Sequence, residues 1–489
     1  MALSFGKAAY AKVVQRLIER IYHNSALQDS IYEQAVSWFA GQEQRQQQLA
    51  NAQQQLFLFE NRQQQSSKAN QAAITRNLRL AEAQQKTLEE EIEENNFLRF
   101  QALQQLCRDI LSLCQGDTFT ETNSYSAKML GTIQLICPTR GKNIQKENQK
   151  ARHLYKAILS IRFLDRLVLD GLIDNPFIID RFQQSKHLHY HDDTEYHPYR
   201  DDVHVPVLMA AILQDIGRSH PSCLAILKGP EGTFDEFREL DAQERITYLQ
   251  ANYNATLSYV QEALGTGRYM GRDKEERDRF LQTEIEKREL IIALIKQAAR
   301  PASELGNILK IPQIYTSMIL STKLVYNYED LPKAALALEK SAEQAKLDQQ
   351  AVVAFLRIVG MFPQGYGVPY IPKDSDGHDM ERYEYAIVTG LYPPELKKPI
   401  CRIVTYSLTY QASARGCVIS AENNLYFPQA RRKLEFIPEE RLLEIMRKLV
   451  YNFEERMSSP LLPRCWHPDE YFINQKNQNL WNKAAMLQN

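Results

Sequence analysis

Six of the ten histidines fall between positions 187 and 220, as H-L-H-Y-H-D-D-T-E-Y-H over 187–197, then His204 and His220. Asp192, Asp193, Glu195, Asp201 and Asp202 lie among them. Imidazole and carboxylate donors at this density could hold zinc, iron or manganese, and His187, His189 and His191 would share one side of an extended segment. The spacing fits no standard zinc motif, and a polar surface loop that is merely rich in histidine has the same composition. Downstream runs A-A-I-L-Q-D-I-G-R-S-H-P over 210–221, an apolar stretch ending in Gln214-Asp215 before a glycine and Arg218.

The elements that must position these groups read as mainly helical. Residues 42–115 contain neither Gly nor Pro and are rich in Gln, Ala, Glu, Leu and Arg, which tolerate helix. One continuous helix there would extend roughly 110 Å, too long to pack within one globule. From Ile74 a 4-3 rhythm runs through Leu78, Ala81, Gln85, Leu88, Ile92 and Asn95, the spacing of a coiled-coil seam with polar residues at two core positions. Residues 8–40 carry apolar positions at helical spacing and read as a helical hairpin or amphipathic arm packed on another helix. Gly116–Ser126 reads as a linker. Helical patterns follow at 151–172, 203–216, 240–264, 276–299, 312–325 and 332–359. Tyr383–Val388 and Ile400–Tyr410 are β-branched and aromatic, with a turn at Asp376-Gly377. Pro438-Glu439-Glu440 opens a last helix to about Met457. The expected organisation is therefore a helical segment (1–41), a long Gln-rich helix or coiled coil (42–115), a helical domain (127–360), a small β-rich module (361–430) and a C-terminal helix and tail (431–489).

Composition narrows the function classes. Fifty-nine basic against sixty acidic side chains leave a net charge of -1, so no whole-molecule field favours nucleic acid or anionic lipid. Seven scattered cysteines without a Cys-x-x-Cys pair suit reduced thiols. No secretory signal is visible after Met1, and no apolar run is long enough to span a bilayer. The expectation is a cytoplasmic protein without nucleic acid as a partner, self-associating or binding another protein through 42–115. No phosphate loop, nucleophile elbow or dinucleotide fingerprint occurs. Cys465-Trp466-His467 is adjacency in sequence, not a catalytic dyad.

The segment ending in Gln214-Asp215 resembles the second metal-ligand segment of the HD superfamily of phosphohydrolases. Ile226–Phe237 (I-L-K-G-P-E-G-T-F-D-E-F) is similar to the connector of its HD-GYP branch, the cyclic di-GMP phosphodiesterases. Leu331–Gly365 resembles the last core helices of that branch and the entrance to its short β tail, which Tyr385–Val388 continues. The resemblance covers about 187–405. It implies an all-helical HD-like core and a cluster of His and Asp holding divalent metals such as Fe or Mn, whose bridging water attacks phosphorus. In this chain, however, the family's histidine position is Gln214. The segment after Glu244 reads T-Y-L-Q-A-N-Y, the expected Gly-Tyr-Pro region reads L-I-K-Q-A-A-R-P-A-S-E-L-G, and Lys323 stands where many members carry Asp. No histidine occurs between His220 and His378. The implied protein is a metal-free, non-catalytic relative without a cofactor, a binding, scaffolding or regulatory module in which Arg218 and Lys228 stand at phosphate-facing positions. Two alternatives remain. One is an active metal phosphohydrolase with an altered site drawn from His187, His189, His191, His197 and Asp215, with Asp215 and Arg218 in the catalytic positions. The other is a coiled-coil assembly or adaptor protein.

Overall fold

The computed structural model describes residues 9–23, 25–65, 71–190, 196–300, 304–450, 453–456 and 460–481. The chain is mainly α-helical, with one small antiparallel sheet towards the C-terminus. In chain order come α1 (Ala9–Ile21), α2 (Ile31–Ala40), α3 (Gln42–Gln65), α4 (Gln71–Cys114), α5 (Phe119–Ile136), α6 (Ile144–Leu169) and α7 (Pro176–Gln184). A π-helical turn, Arg200–His204, runs into α8 (Val205–Leu213), followed by α9 (Pro221–Lys228), α10 (Ala242–Ser258), α11 (Lys274–Ala298) and α12 (Glu304–Ile319). Next are α13 (Lys333–Glu343), α14 (Gln349–Val359), β1 (Gly367–Tyr370), β2 (Glu384–Val388), β3 (Ile400–Tyr406), β4 (Thr409–Val418), α15 (Pro428–Arg432) and α16 (Glu439–Leu449). Among the described residues no helix is long and apolar enough to cross a membrane.

The chain forms two compact units that are discontinuous in sequence. The first holds residues up to Ile21, Cys107–Ile212 and everything from Ala293 onward; the second holds Tyr22–Leu106 and Leu213–Ile292. The 127–360 segment is therefore shared by both.

In the first unit, α6 is the central helix. It packs against α1, α5, α12 and α14 and buries Leu154, Ile158, Ile161 and Leu164 completely. The sheet is a meander in the order β1-β2-β3-β4, with Gly367 opposite Ile387, Ala386 opposite Ile403 and Cys401 opposite Cys417. Its apolar face buries Tyr383, Tyr385, Ile387 and Val404 together with Ile445 of α16 and Trp466. The indole N–H of Trp466 donates to the Ala386 carbonyl at 2.9 Å, satisfying its one polar group inside that core.

In the second unit, α2 begins with a capping box in which Ser30 and Glu33 satisfy each other's backbone N–H groups. Trp38 and Phe39 of α2 meet Tyr259 with ring centroids 5.4 and 5.6 Å apart. A second capping box, Asp241 with Glu244, starts α10. Helices α3 and α4 run antiparallel: the Gln63 amide donates to Thr75 near one end, while Arg45, Gln48 and Leu49 share a cleft with Leu88, Ile92 and Asn96 at the other.

That reversal corrects the single 110 Å helix over 42–115. A straight helix would hold residues 63 and 75 roughly 18 Å apart along its axis, which no side-chain hydrogen bond spans. The seam positions Ile74, Gln85, Leu88 and Ile92 are half-buried and Leu78 and Ala81 buried, whereas Asn95 is exposed and donates to the Glu91 carbonyl. On α3, Arg45, Leu49, Ala52, Leu56, Phe59 and Gln63 show the same 4-3 pattern of partial burial.

Four further expectations are corrected. The Gly116–Ser126 linker is largely the first turns of α5, because Thr118 accepts from the Glu121 N–H and caps it. The 332–359 pattern is two helices, since Asp348 accepts from Ala351 N–H and starts α14 afresh. The 8–40 hairpin divides between units: α1 packs on α5 and α6 in the first, and α2 belongs to the second. The helix opened at Pro438 ends at Leu449, short of Met457.

Candidate functional site

A buried polar cluster of the first unit is built on α6 and the π-turn. Arg162 and Asp165, one turn apart on α6, form an ion pair at 3.1 Å. The π-turn, with Val205 N–H bonded to the Arg200 carbonyl, presents Arg200, Asp201, Asp202 and His204, all buried. Such wide turns re-aim side chains relative to a regular helix and recur at functional sites. Here the turn brings His204 Nε2 to 2.7 Å from Asp165 Oδ1, while His204 Nδ1 lies 2.7 Å from the Tyr190 hydroxyl. Tyr199 donates to the same Asp165 oxygen at 3.1 Å, and its ring sits 4.4 Å from the imidazole.

The electrostatics follow from this packing. Burial alone would raise the Asp165 carboxyl, but the His204 ring and the Arg162 guanidinium beside it hold it below the usual carboxylate range. Burial, with the Arg162 and Asp165 charges acting in opposite senses, keeps Tyr190 a phenol well above its ordinary titration. His204 is therefore hydrogen-bonded at both nitrogens in either protonation state: neutral, it accepts from Tyr190; charged, it donates to it. Burial, then Arg200, pushes His197 down to about 4. Its Nδ1 accepts from Arg200 N–H at 3.1 Å, and its own N–H donates to Asp201. Arg200 bonds the Tyr190 carbonyl and Asp201, and Arg181 pairs with Asp202 at 2.9 Å.

An aspartate-oriented histidine is the geometry of a general base. In this cluster the second nitrogen is capped by Tyr190, and His204 is 1% exposed. The arrangement therefore holds α6 against the π-turn; it presents no base to a reactant. Arg162, 2% exposed, gives Nη2 to Asp165 and to Gln115, but its Nε and Nη1 have no acceptor. Buried guanidinium edges of this kind are rare and costly.

Of the residues singled out from sequence, His187 and His189 are exposed, and His191 lies outside the described residues. His197 and His204 belong to the buried network. His220 caps α9 by accepting from Ser222 N–H at 3.1 Å. Among the described residues, the one group of His, Cys, Asp or Glu ligand atoms close enough to share an ion is Asp374, Asp376 and His378, exposed on the β1–β2 connection.

Asp215 is buried and precedes the 3-10 turn Ile216–Ser219 of the second unit. That turn is sealed by α10. Gly217 N–H donates to Thr256 Oγ1 at 3.0 Å, and a Cβ at Gly217 would lie 2.2 Å from the Asn252 carbonyl oxygen. Arg218 pairs with Glu236 at 2.9 Å and hydrogen-bonds the Tyr248 hydroxyl. Lys228, the last residue of α9, is exposed. Lys323 is exposed, its carbonyl accepting from Gln145.

Sequence reasoning missed Asp165, Arg162, Tyr190 and Tyr199. The available signal was Arg162-x-x-Asp165, an opposite-charge pair one turn apart within the apolar run Ala157–Leu169 of α6, which carries one other charge, Arg166. Fold and sites together define a mainly α protein with a small antiparallel sheet and a buried ionic network. No protein-family model, no curated protein and no solved structure matches the chain.

Proposed function

We propose that this chain is a non-catalytic, HD-GYP-like protein that acts as a binding and scaffolding module, with the antiparallel α3–α4 pair as a coiled-coil docking arm. The observation that carries the reading is the closure of the Asp215–Ser219 turn. Asn252 and Thr256 of α10 fill the space over Gly217, while Glu236 and Tyr248 occupy Arg218. A phosphate group approaching Arg218 would have to displace both partners, and a metal at Asp215 would find Gln214 in place of the family's imidazole. An amide is a poor, uncharged ligand for a hard divalent ion.

The arm reading rests on the matching 4-3 patterns of partial burial along α3 and α4. Phe57, Leu58 and Leu80 on this pair remain 62%, 46% and 55% exposed, apolar surface suited to a second copy or another protein.

Elemental analysis of the purified protein, together with incubation with cyclic di-GMP, tests the catalytic half. The expected outcome is less than about one equivalent of Fe, Mn or Zn and intact dinucleotide, since removing the ligands removes the activated water. Stoichiometric metal with turnover abolished in Asp215→Ala would reverse the proposal.

A further inference from the structure

Beside the sheet of the first unit lies a cleft of about 100 Å³ that the Asp165 network does not use. Tyr383, Tyr385, Tyr410 and Trp466 line it. Three features make it a preformed site. Its rings are fixed: Tyr385 and Trp466 stack at 4.7 Å and 3°, Tyr410 donates to the Leu449 carbonyl at 2.7 Å, and the Trp466 indole N–H is bonded to Ala386. One hydroxyl is spare, since Tyr383 is fully buried and its oxygen has no hydrogen-bond partner. The lining holds two acids, Glu329 and Glu470, against one guanidinium, Arg140, and Glu329 also faces the charge of Arg431. His467 also lines the cleft, its Nδ1 2.7 Å from Thr139 Oγ1, which donates to Asp469.

Size, wall chemistry and charge limit the ligand. Drug-sized ligands and nucleotides need clefts of roughly 300–1,000 Å³, several times this one. An apolar cavity of about 150 Å³ takes a benzene-sized molecule, so the cleft suits a head group of a few heavy atoms. Aromatic walls with an excess of carboxylate favour a soft organic cation over an anion, through attraction to the ring quadrupoles and to Glu329. We propose that this cleft binds the head of a small alkylammonium ion, with Trp466 and the tyrosines as the cage, Glu329 as the counter-charge and Tyr383 as a polar anchor.

The test uses the full-length protein and titrates choline and its uncharged isostere 3,3-dimethyl-1-butanol by calorimetry, with sodium phosphate as the anionic comparison. Choline should bind saturably and at least about tenfold more tightly than the isostere, the ratio expected from cation–π attraction in a partly desolvated site. Glu329→Gln should weaken choline by about three- to tenfold and leave the isostere unchanged, whereas Glu395→Gln, outside the cleft, should leave both unchanged. Far-UV circular dichroism and the melting temperature establish that each variant is folded. Tyr383→Phe, which keeps the ring, provides a second variant with a smaller expected loss. Equal affinity for choline and the isostere, absence of saturable choline binding, tighter binding of phosphate, or choline binding indifferent to both Glu329→Gln and Tyr383→Phe would each overturn the proposal.

Discussion

Replacing Asp165 by Ala removes the shared acceptor of His204 Nε2, the Tyr199 hydroxyl and Arg162 Nη2. Arg162 would keep Gln115 as its remaining protein acceptor, with Nε and Nη1 already unsatisfied at 2% exposure. Breaking a buried pair by deleting one partner costs about 3–5 kcal/mol, because the other charge stays buried. At the slope of large domains this lowers the melting temperature of the first unit by roughly 6–20 °C, readable by scanning calorimetry. Glu395→Ala, which breaks an exposed pair with Lys398, is the control and should cost below about 1 kcal/mol. The pH dependence gives a second readout. A carboxyl with a depressed folded pKa contributes stability above its unfolded pKa, and that stability is lost as pH falls through the folded value. Wild type and Asp165→Ala should therefore differ most near neutrality and converge in strong acid. A neutral-pH change within about 2 °C of wild type, against the 2–4 °C expected per kcal/mol, would refute the ionic network as the clasp between α6 and the π-turn.

Three other outcomes are expected. His197, lowered from 6.5 to about 4, binds its proton more readily when unfolded, so stability should fall as pH drops from about 6.5 towards 4, by at most about 3 kcal/mol; His197→Gln should flatten that limb in melting curves taken across the window. Gly217→Ala places a Cβ 2.2 Å from the Asn252 carbonyl, and overpacking of this kind costs about 1–3 kcal/mol, seen as a lower melting temperature and faster amide exchange in α10; unchanged exchange would mean that α10 does not seal the turn. Leu88→Pro should break α4 at a cost of about 3 kcal/mol and, on the arm reading, change the mass of any complex measured by light scattering; an unchanged mass would remove α3–α4 as the docking element.

Most helices were legible because their causes are local. Apolar spacing marks α6, α8 and α10; Pro438 and the following acids mark the start of α16; β-branched and aromatic runs mark β2 and β3. The 4-3 rhythm from Ile74 was also readable, but not what covers it. The pattern states that a stripe needs a partner, and only the chain reversal brings α3 alongside it. The linker at 116–126 was misread because its Thr, Ser and Asn residues serve both loops and helix caps, and Thr118 acts as the cap.

The candidate site divides along the same line. Sequence alone located the histidine-rich stretch and the near-neutral charge, since residue identity and count need no coordinates. Only tertiary structure decided that His204 pairs with Asp165, 39 positions earlier, and that Arg218 is already occupied by Glu236 and Tyr248. It also gathered Tyr383, Tyr410 and Trp466 around one cleft. Ion pairing and burial depend on distances and dielectric surroundings that arise when separate helices and strands pack, and no spacing along the chain encodes them.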